Sequence, residues 1–252
     1  MSGHSKWSTI KRKKAATDAK RGQLFTRLAR EITIVAREGG DPSMNFKLRL
    51  AIENARRSNM PKENVERAIK RGTGELKGEE LQEVMYEGYG PNGIAMLIEV
   101  VTDNRNRSVA DVRRIFSKLG GSMAEPGAVA WQFKHRGYVV LPTSGQDGDL
   151  IFELALDANA DDVVFGEELI EIFTTLEHFQ GVQEALETNG IQFDTAELTY
   201  FPDLPTELET AESLKVMRFV DALEELDDVQ RVYSSLHITD ELMSDYEETL
   251  AD

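Results

Sequence analysis

The sequence contains no cysteine. That excludes a disulfide framework, a zinc–thiolate site and a thiol nucleophile. No apolar run approaches the roughly 20 residues that span a bilayer, and the longest, Ile94 to Val101, is broken by Glu99. The first residues lack the apolar stretch of a secretory signal and run straight into a helical pattern carrying Glu31 and Glu38, so they read as mature protein. A reducing, cytoplasmic setting with no membrane partner is the expectation. The histidines, His4, His135, His178 and His237, are scattered without metal-ligand spacing. A P-loop and a nucleophile elbow are also missing. Gly88-Tyr89-Gly90-Pro91-Asn92-Gly93 matches a dinucleotide fingerprint in form, but it lies between two strand patterns and reads as a hairpin. Asp157, Asn159, Asp161 and Glu168 fall at calcium-loop spacing, with Asp162 where the loop needs glycine. The expectation is no catalytic residue, no cofactor, no metal and no small-molecule substrate.

Cations are scarce in most of the chain. The formal net charge is −16 over 252 residues, which on its face argues against a polyanionic partner. The distribution reverses that impression. Residues 1–77 carry a net +11, residues 78–136 a net −1, and residues 137–252 a net −26. A basic head on an acidic body docks on a polyanion in one orientation.

The hydrophobic period divides the chain further. Residues 1–16 show no amphipathic repeat and read as an extended basic arm. From about Thr17, Leu24, Leu28, Ile32 and Val35 recur at helical spacing until Gly39-Gly40. Asp41-Pro42-Ser43 predicts the start of a second helix, and Asn59-Met60-Pro61 the start of a third that ends at Gly72. A Gly- and charge-rich linker follows over 73–80. Strands are predicted over 84–89 and 94–101, a helix over 108–119 and a strand over 129–133. The next elements read β-α-β-β-α-β over 138–201, the ferredoxin-like order. A helix over 210–225 and a strand over 229–236 cannot bury both faces alone. They are expected to return to the middle domain, and residues 239–252 to form a frayed acidic tail. The predicted fold is thus an α+β multidomain chain. It has a three-helix basic domain (1–77), a discontinuous α/β domain (78–136 with 206–238), an inserted acidic ferredoxin-like βαββαβ domain (137–205) and the tail.

The candidate nucleic-acid-binding residues lie mostly at the front. Lys6, Lys11, Arg12, Lys13, Lys14, Lys20 and Arg21 crowd together against only Asp18. Such density needs counterions or an anionic partner, and displacing counterions from a phosphate backbone drives binding. Trp7 sits within the cluster; an indole there either stacks on an unpaired base or packs on the helical domain. Lys47, Arg49, Arg56, Arg57, Lys62, Arg67, Lys70 and Arg71 extend the positive face. Asp103-Asn104-Arg105-Asn106-Arg107 precedes a predicted helix. Arg105 and Arg107 there either bind phosphate or belong to a helix cap.

Gly3-His4-Ser5-Lys6-Trp7, then Lys13-Lys14-Ala15-Ala16 and Asp18-Ala19-Lys20-Arg21-Gly22, resemble the start of the YebC/PmpR family, which is similar to the translational activator of mitochondrial cytochrome c oxidase subunit I. Gly39-Gly40-Asp41-Pro42, Asn59-Met60-Pro61, Arg67 to Gly72, Tyr86 to Pro91 and Thr102 to Arg107 follow in the family's order. The resemblance covers Ser2 to about Leu236, with its specific motifs in the first half. It implies a three-domain, non-enzymatic protein. It also implies one of two functions, DNA-binding transcriptional regulation or a ribosome-linked role in translation, including at proline-rich stretches. The partner expected is DNA, ribosomal RNA or both. A flexible basic arm bearing an aromatic suits irregular RNA, whereas the family's usual label favours DNA. A third reading is a protein-interaction module with an acidic surface.

Overall fold

A computed structural model describes residues 18–78 and 80–251. The head begins with α1 (Asp18–Val35), which tightens into a 3-10 turn at Ala36–Glu38. Two more helices, α2 (Phe46–Arg57) and α3 (Lys62–Gly72), complete it. Leu28, Ile32, Leu48, Ala51, Ala55, Val65 and Ala68 form its buried core. Helix α2 starts later than the Asp41-Pro42-Ser43 signal suggests. The Asp41 carboxylate accepts from the Ser43 N–H and hydroxyl at 2.9 and 2.8 Å, making a turn. Asn45 is the cap, accepting from the Leu48 N–H. Gly72 permits the close crossing of α1 and α3, because a Cβ there would lie 2.4 Å from the Thr33 carbonyl oxygen.

The first sheet holds β1 (Gln82–Tyr89), β2 (Ala95–Thr102), β3 (Ser122–Ala124) and β8 (Val229–Ser234) in the order β3-β1-β2-β8. The Gly88–Gly93 stretch is the β1–β2 hairpin, with the Gly90 N–H donating to the Ile94 carbonyl. A Cβ at Gly88 would lie 2.4 Å from the Phe116 ring, so packing alone accounts for that glycine. Helices α4 (Arg105–Leu119), α7 (Thr210–Glu224) and α8 (Asp240–Ala251) cover one face, burying Phe116, Phe219, Met243 and Tyr246 against Met96, Ile98 and Val100. The segment predicted as a frayed tail is therefore a packed helix over its described residues, 240–251. Leu242, Met243 and Tyr246 are core, and the Tyr246 hydroxyl donates to Asp221.

The second sheet, β5-β6-β4-β7, is built from β4 (Phe133–Pro142), β5 (Asp162–Phe165), β6 (Leu169–Thr174) and β7 (Thr195–Pro202), all antiparallel neighbours. Helices α5 (Gly148–Asp157) and α6 (Phe179–Thr188) pack on it. This is the ferredoxin-like order, inserted between β3 and α7 of the first unit. The strand predicted over 129–133 is displaced: 130–132 form a 3-10 turn and β4 opens at Phe133. Glu87, buried in β1, causes this. Its carboxylate accepts the N–H groups of Gly127, Val129 and Ala130 at 2.6–2.9 Å, which curls the segment.

The head joins both sheets. Arg231 of β8 reaches Glu31 of α1 at 3.4 Å and Glu197 of β7 at 3.1 Å. Phe46 meets Phe179 edge-on at 5.9 Å, and the Arg57 guanidinium lies over the Phe193 ring at 4.9 Å. Burial raises the Glu31 carboxyl above the usual range despite Arg231, and burial with neighbouring Glu99 raises Glu83. Elsewhere burial pushes Asp228 and Glu87 up, but hydrogen-bond donors outweigh it and hold both below the usual range. The signs define a pH profile. A raised carboxyl penalises the folded state when ionised, so stability should rise as pH falls from the alkaline side toward the ordinary carboxylate range. A lowered carboxyl stabilises above its unfolded value of about 4, so stability should fall below that. Scanning calorimetry from pH 8 to 3 checks this, and Glu31→Gln should flatten the limb that rises on acidification. A steady decline from pH 8 downward would contradict the assignment.

Candidate nucleic-acid interface

Charge sorts the surface clefts. One cleft of about 760 Å³ lies between α1, α3 and the strap 74–81. Arg30, Arg37, Arg67, Arg71 and Lys77 line it, against Glu80 as the one acid among the described residues. A second, of about 660 Å³, is lined by Asp103, Asp111, Glu225, Asp227 and Asp228 against Arg30 and Arg107. A third, of about 490 Å³ at the junction of head and sheets, holds Glu31, Glu83, Glu99, Asp194 and Glu197 against Arg27, Arg57 and Arg231. Of these three, among the described residues, the first presents a positive wall.

The geometry of that cleft follows from helical spacing. Arg30 and Arg37 stand seven residues apart along α1 and its terminal turn, and Arg67 and Arg71 four apart on α3, so each pair shares a face. The Leu76 N–H donates to the Lys70 carbonyl at 2.9 Å and the Arg37 guanidinium to the Leu81 carbonyl at 2.7 Å, fastening the strap at both ends. The carbonyl partner is neutral, and the Arg37 charge is also felt by the Glu83 carboxyl. Among the described residues, Arg67, Arg71 and Lys77 are exposed and no carboxylate pairs with them. Lys70 and Arg71 also complement the C-terminal dipole of α3, which accounts for their position without demanding that it consume their charge.

Other basic residues are already committed. Arg30 pairs with Asp228 at 3.1 Å and donates to the Asp227 carbonyl, while Arg27 donates to the Glu224 carbonyl. The acidic turn between α7 and β8 thus holds that side of α1. Arg107 spends its guanidinium on Asp228 at 2.9 Å and Asp103 at 2.6 Å. Asn104 caps α4, accepting from the Arg107 N–H. Of the two readings of the Asp103–Arg107 string, the cap is what the backbone adopts there. The Arg105 side chain remains exposed. Lys20 and Arg21 lie in the first turn of α1, with Arg21 exposed. Lys6, Trp7, Lys11, Arg12, Lys13 and Lys14 fall outside the described residues. The sequence reading did not single out Arg37 and Lys77. Their signal is weak, one cation at a helix end and one in a linker, and only the fold brings them opposite Arg67 and Arg71.

No helix among the described residues is long and apolar enough to cross a membrane. Comparison with known proteins matches residues 5–75 to the TACO1/YebC protein N-terminal domain and residues 81–236 to the TACO1/YebC second and third domain. A probable transcriptional regulatory protein of Acidithiobacillus ferrooxidans is 53% identical over 99% of this chain and all of its own length. One of Chlorobaculum tepidum is 50% identical over 98% of this chain and all of its own. The crystal structure of a conserved hypothetical protein from Aquifex aeolicus superposes with a TM-score of 0.80 at 42% identity, covering 88% of this chain and 93% of that one. With the head and both sheets matched to models of one family and full-length relatives at such identity, the chain belongs to the TACO1/YebC family.

Proposed function

We propose that the protein is a non-enzymatic regulator that holds nucleic acid by its phosphate backbone. The grip combines the basic arm (Lys6, Lys11 to Lys14), Lys20, Arg21 and Arg105 with the α1–α3 cleft. The observation that carries this reading is the cleft itself, where, among the described residues, Arg37, Arg67, Arg71 and Lys77 face one carboxylate, Glu80. Long cationic side chains on a polar wall suit phosphates, which position a protein without reading sequence. The acidic sheets, net −26 over residues 137–252, would repel a polyanion and confine contact to the head.

DNA is the proposed target, in keeping with the transcriptional names of the relatives. Ribosomal RNA is the second reading, favoured by Trp7 among the lysines of the arm, since an aromatic stacks on bases that single strands expose. Sedimentation of cell extract through a sucrose gradient separates the two. Footprints on promoter DNA at physiological salt, without ribosome co-migration, support regulation of transcription. Co-migration with ribosomes that survives DNase but not high salt supports translation instead. In either case, changing Lys11, Arg12, Lys13 and Lys14 together to glutamate should abolish binding without lowering the unfolding temperature. Unchanged affinity would remove the arm from the site.

A further inference from the structure

The ferredoxin-like unit carries an apolar spot at its outer end. On α5, Phe152 and Leu156 stand one turn apart and are 48% and 60% exposed. Phe165, at the end of β5, is 47% exposed, and its ring lies 6.5 Å from that of Phe152. The interior of this unit is already filled by Ile151 and Ala155 from the neighbouring face of α5, and these three side chains lie outside its buried core. Asp149, Glu153 and Asp157 run beside them as an exposed acidic stripe, with Asp161 just before β5 and Asp162 its first residue. The sequence places no lysine or arginine between Arg136 and Lys215. The unit's own lysine and arginine, Lys134 and Arg136, stand at the start of β4, where Lys134 pairs with Asp203.

We propose that this face receives a basic amphipathic helix from a partner protein. The apolar spot rewards burial of a matching ridge. The acids beside it reward lysine or arginine on the flanks of that ridge and reject nucleic acid and anionic lipid. A helix fits better than an added strand. The anchors Phe152 and Leu156 form an i, i+4 ridge, whereas β5 is only four residues long and begins with Asp162. The surface lies on the acidic sheet and not on the cationic head, so a partner seated there leaves the phosphate-binding cleft free. The protein would then join a basic protein to a nucleic acid.

The test uses the full-length protein and two fluorescein-labelled peptides of about 15 residues, both of leucine and lysine. One has leucines at i, i+3, i+4 and i+7; the other has the same composition scrambled. Fluorescence anisotropy at about 0.15 M salt should show the amphipathic peptide binding about 10-fold tighter than the scrambled one. Phe152→Ser with Leu156→Ser should remove that advantage at an unchanged unfolding temperature. Glu153→Lys with Asp157→Lys should weaken both peptides. Equal binding of the two peptides would overturn the proposal, leaving charge attraction alone. So would wild-type affinity in the serine variant. Sedimentation equilibrium showing a dimer that the serine variant loses would also overturn it, assigning the face to a second copy.

Discussion

Replacing Arg67, Arg71 and Lys77 together by glutamate is expected to lower affinity for duplex DNA or ribosomal RNA about 100-fold at 0.15 M salt. Each neutralised phosphate releases about 0.9 of a counterion from DNA, worth about 1 kcal/mol at that salt. Three lost contacts therefore cost about 3 kcal/mol, which is about two decades of affinity. The slope of log affinity against log salt should become shallower by about 3. All three side chains are exposed and outside the buried core, so the unfolding temperature should stay near that of the wild type. Electrophoretic mobility shift at several salt concentrations measures both quantities. A fall smaller than about 5-fold with an unchanged slope would show that the cleft is a solvated surface. The grip would then reside in the arm alone.

Asp228→Ala should have the largest effect on folding. This carboxylate, 10% exposed, accepts from Thr102 at 3.0 Å, Ser108 at 2.6 Å and Arg107 at 2.9 Å, and pairs with Arg30 of the head at 3.1 Å. Its removal takes a charged acceptor from two buried hydroxyls, leaving them each other and the Asn104 carbonyl, and leaves the mostly buried Arg30 guanidinium only the Asp227 carbonyl. Breaking one partner out of such a buried network costs about 3 kcal/mol. The Arg107 share is discounted, because that side chain is 46% exposed and screened by solvent. For a chain of this length the loss corresponds to a fall of about 10 °C in Tm. Hydrogen exchange should rise first along α1, where Arg30 loses its anchor. Asp228→Asn keeps an acceptor for Thr102 and Ser108 and should lie between the two. Nucleic-acid affinity of the folded variant should not weaken, since two arginines gain free charge. A change below about 1 kcal/mol would show that Asp228 is not the link between head and sheet.

Much of this architecture is legible in the residues, and the failures have physical causes. The stripe Leu24, Leu28, Ile32 shows α1 because its period is local. The βαββαβ order shows the second sheet because each element alternates or repeats clearly. The final helix is hidden by its composition: Asp240, Glu241, Asp245, Glu247 and Glu248 surround Leu242, Met243 and Tyr246, and the net charge reads as a tail. Three residues are too few for β3 to show an alternation. Glu87 curls residues 127–130 from a strand 40 residues away, and no window around Val129 contains that carboxylate. The same holds for the site. Clustered cations mark the head as the positive end, but whether a particular arginine is free depends on distant acids. Arg107 looks available beside Asn104 and Asn106 until Asp228, 121 residues on, takes it. Arg67 and Arg71 form a pair on one helix face, yet the cleft exists only because Gly72 lets α1 cross close by.

On the function proposed, the positive head binds polyanion through its phosphates. Titrating the purified full-length protein against a random-sequence DNA duplex and a ribosomal RNA fragment between about 0.05 and 0.3 M salt tests it most directly. Log affinity should fall linearly with log salt, with a slope of about −3 or steeper for at least one of them. Absence of binding to both in the most dilute buffer, or an affinity indifferent to salt, would contradict it.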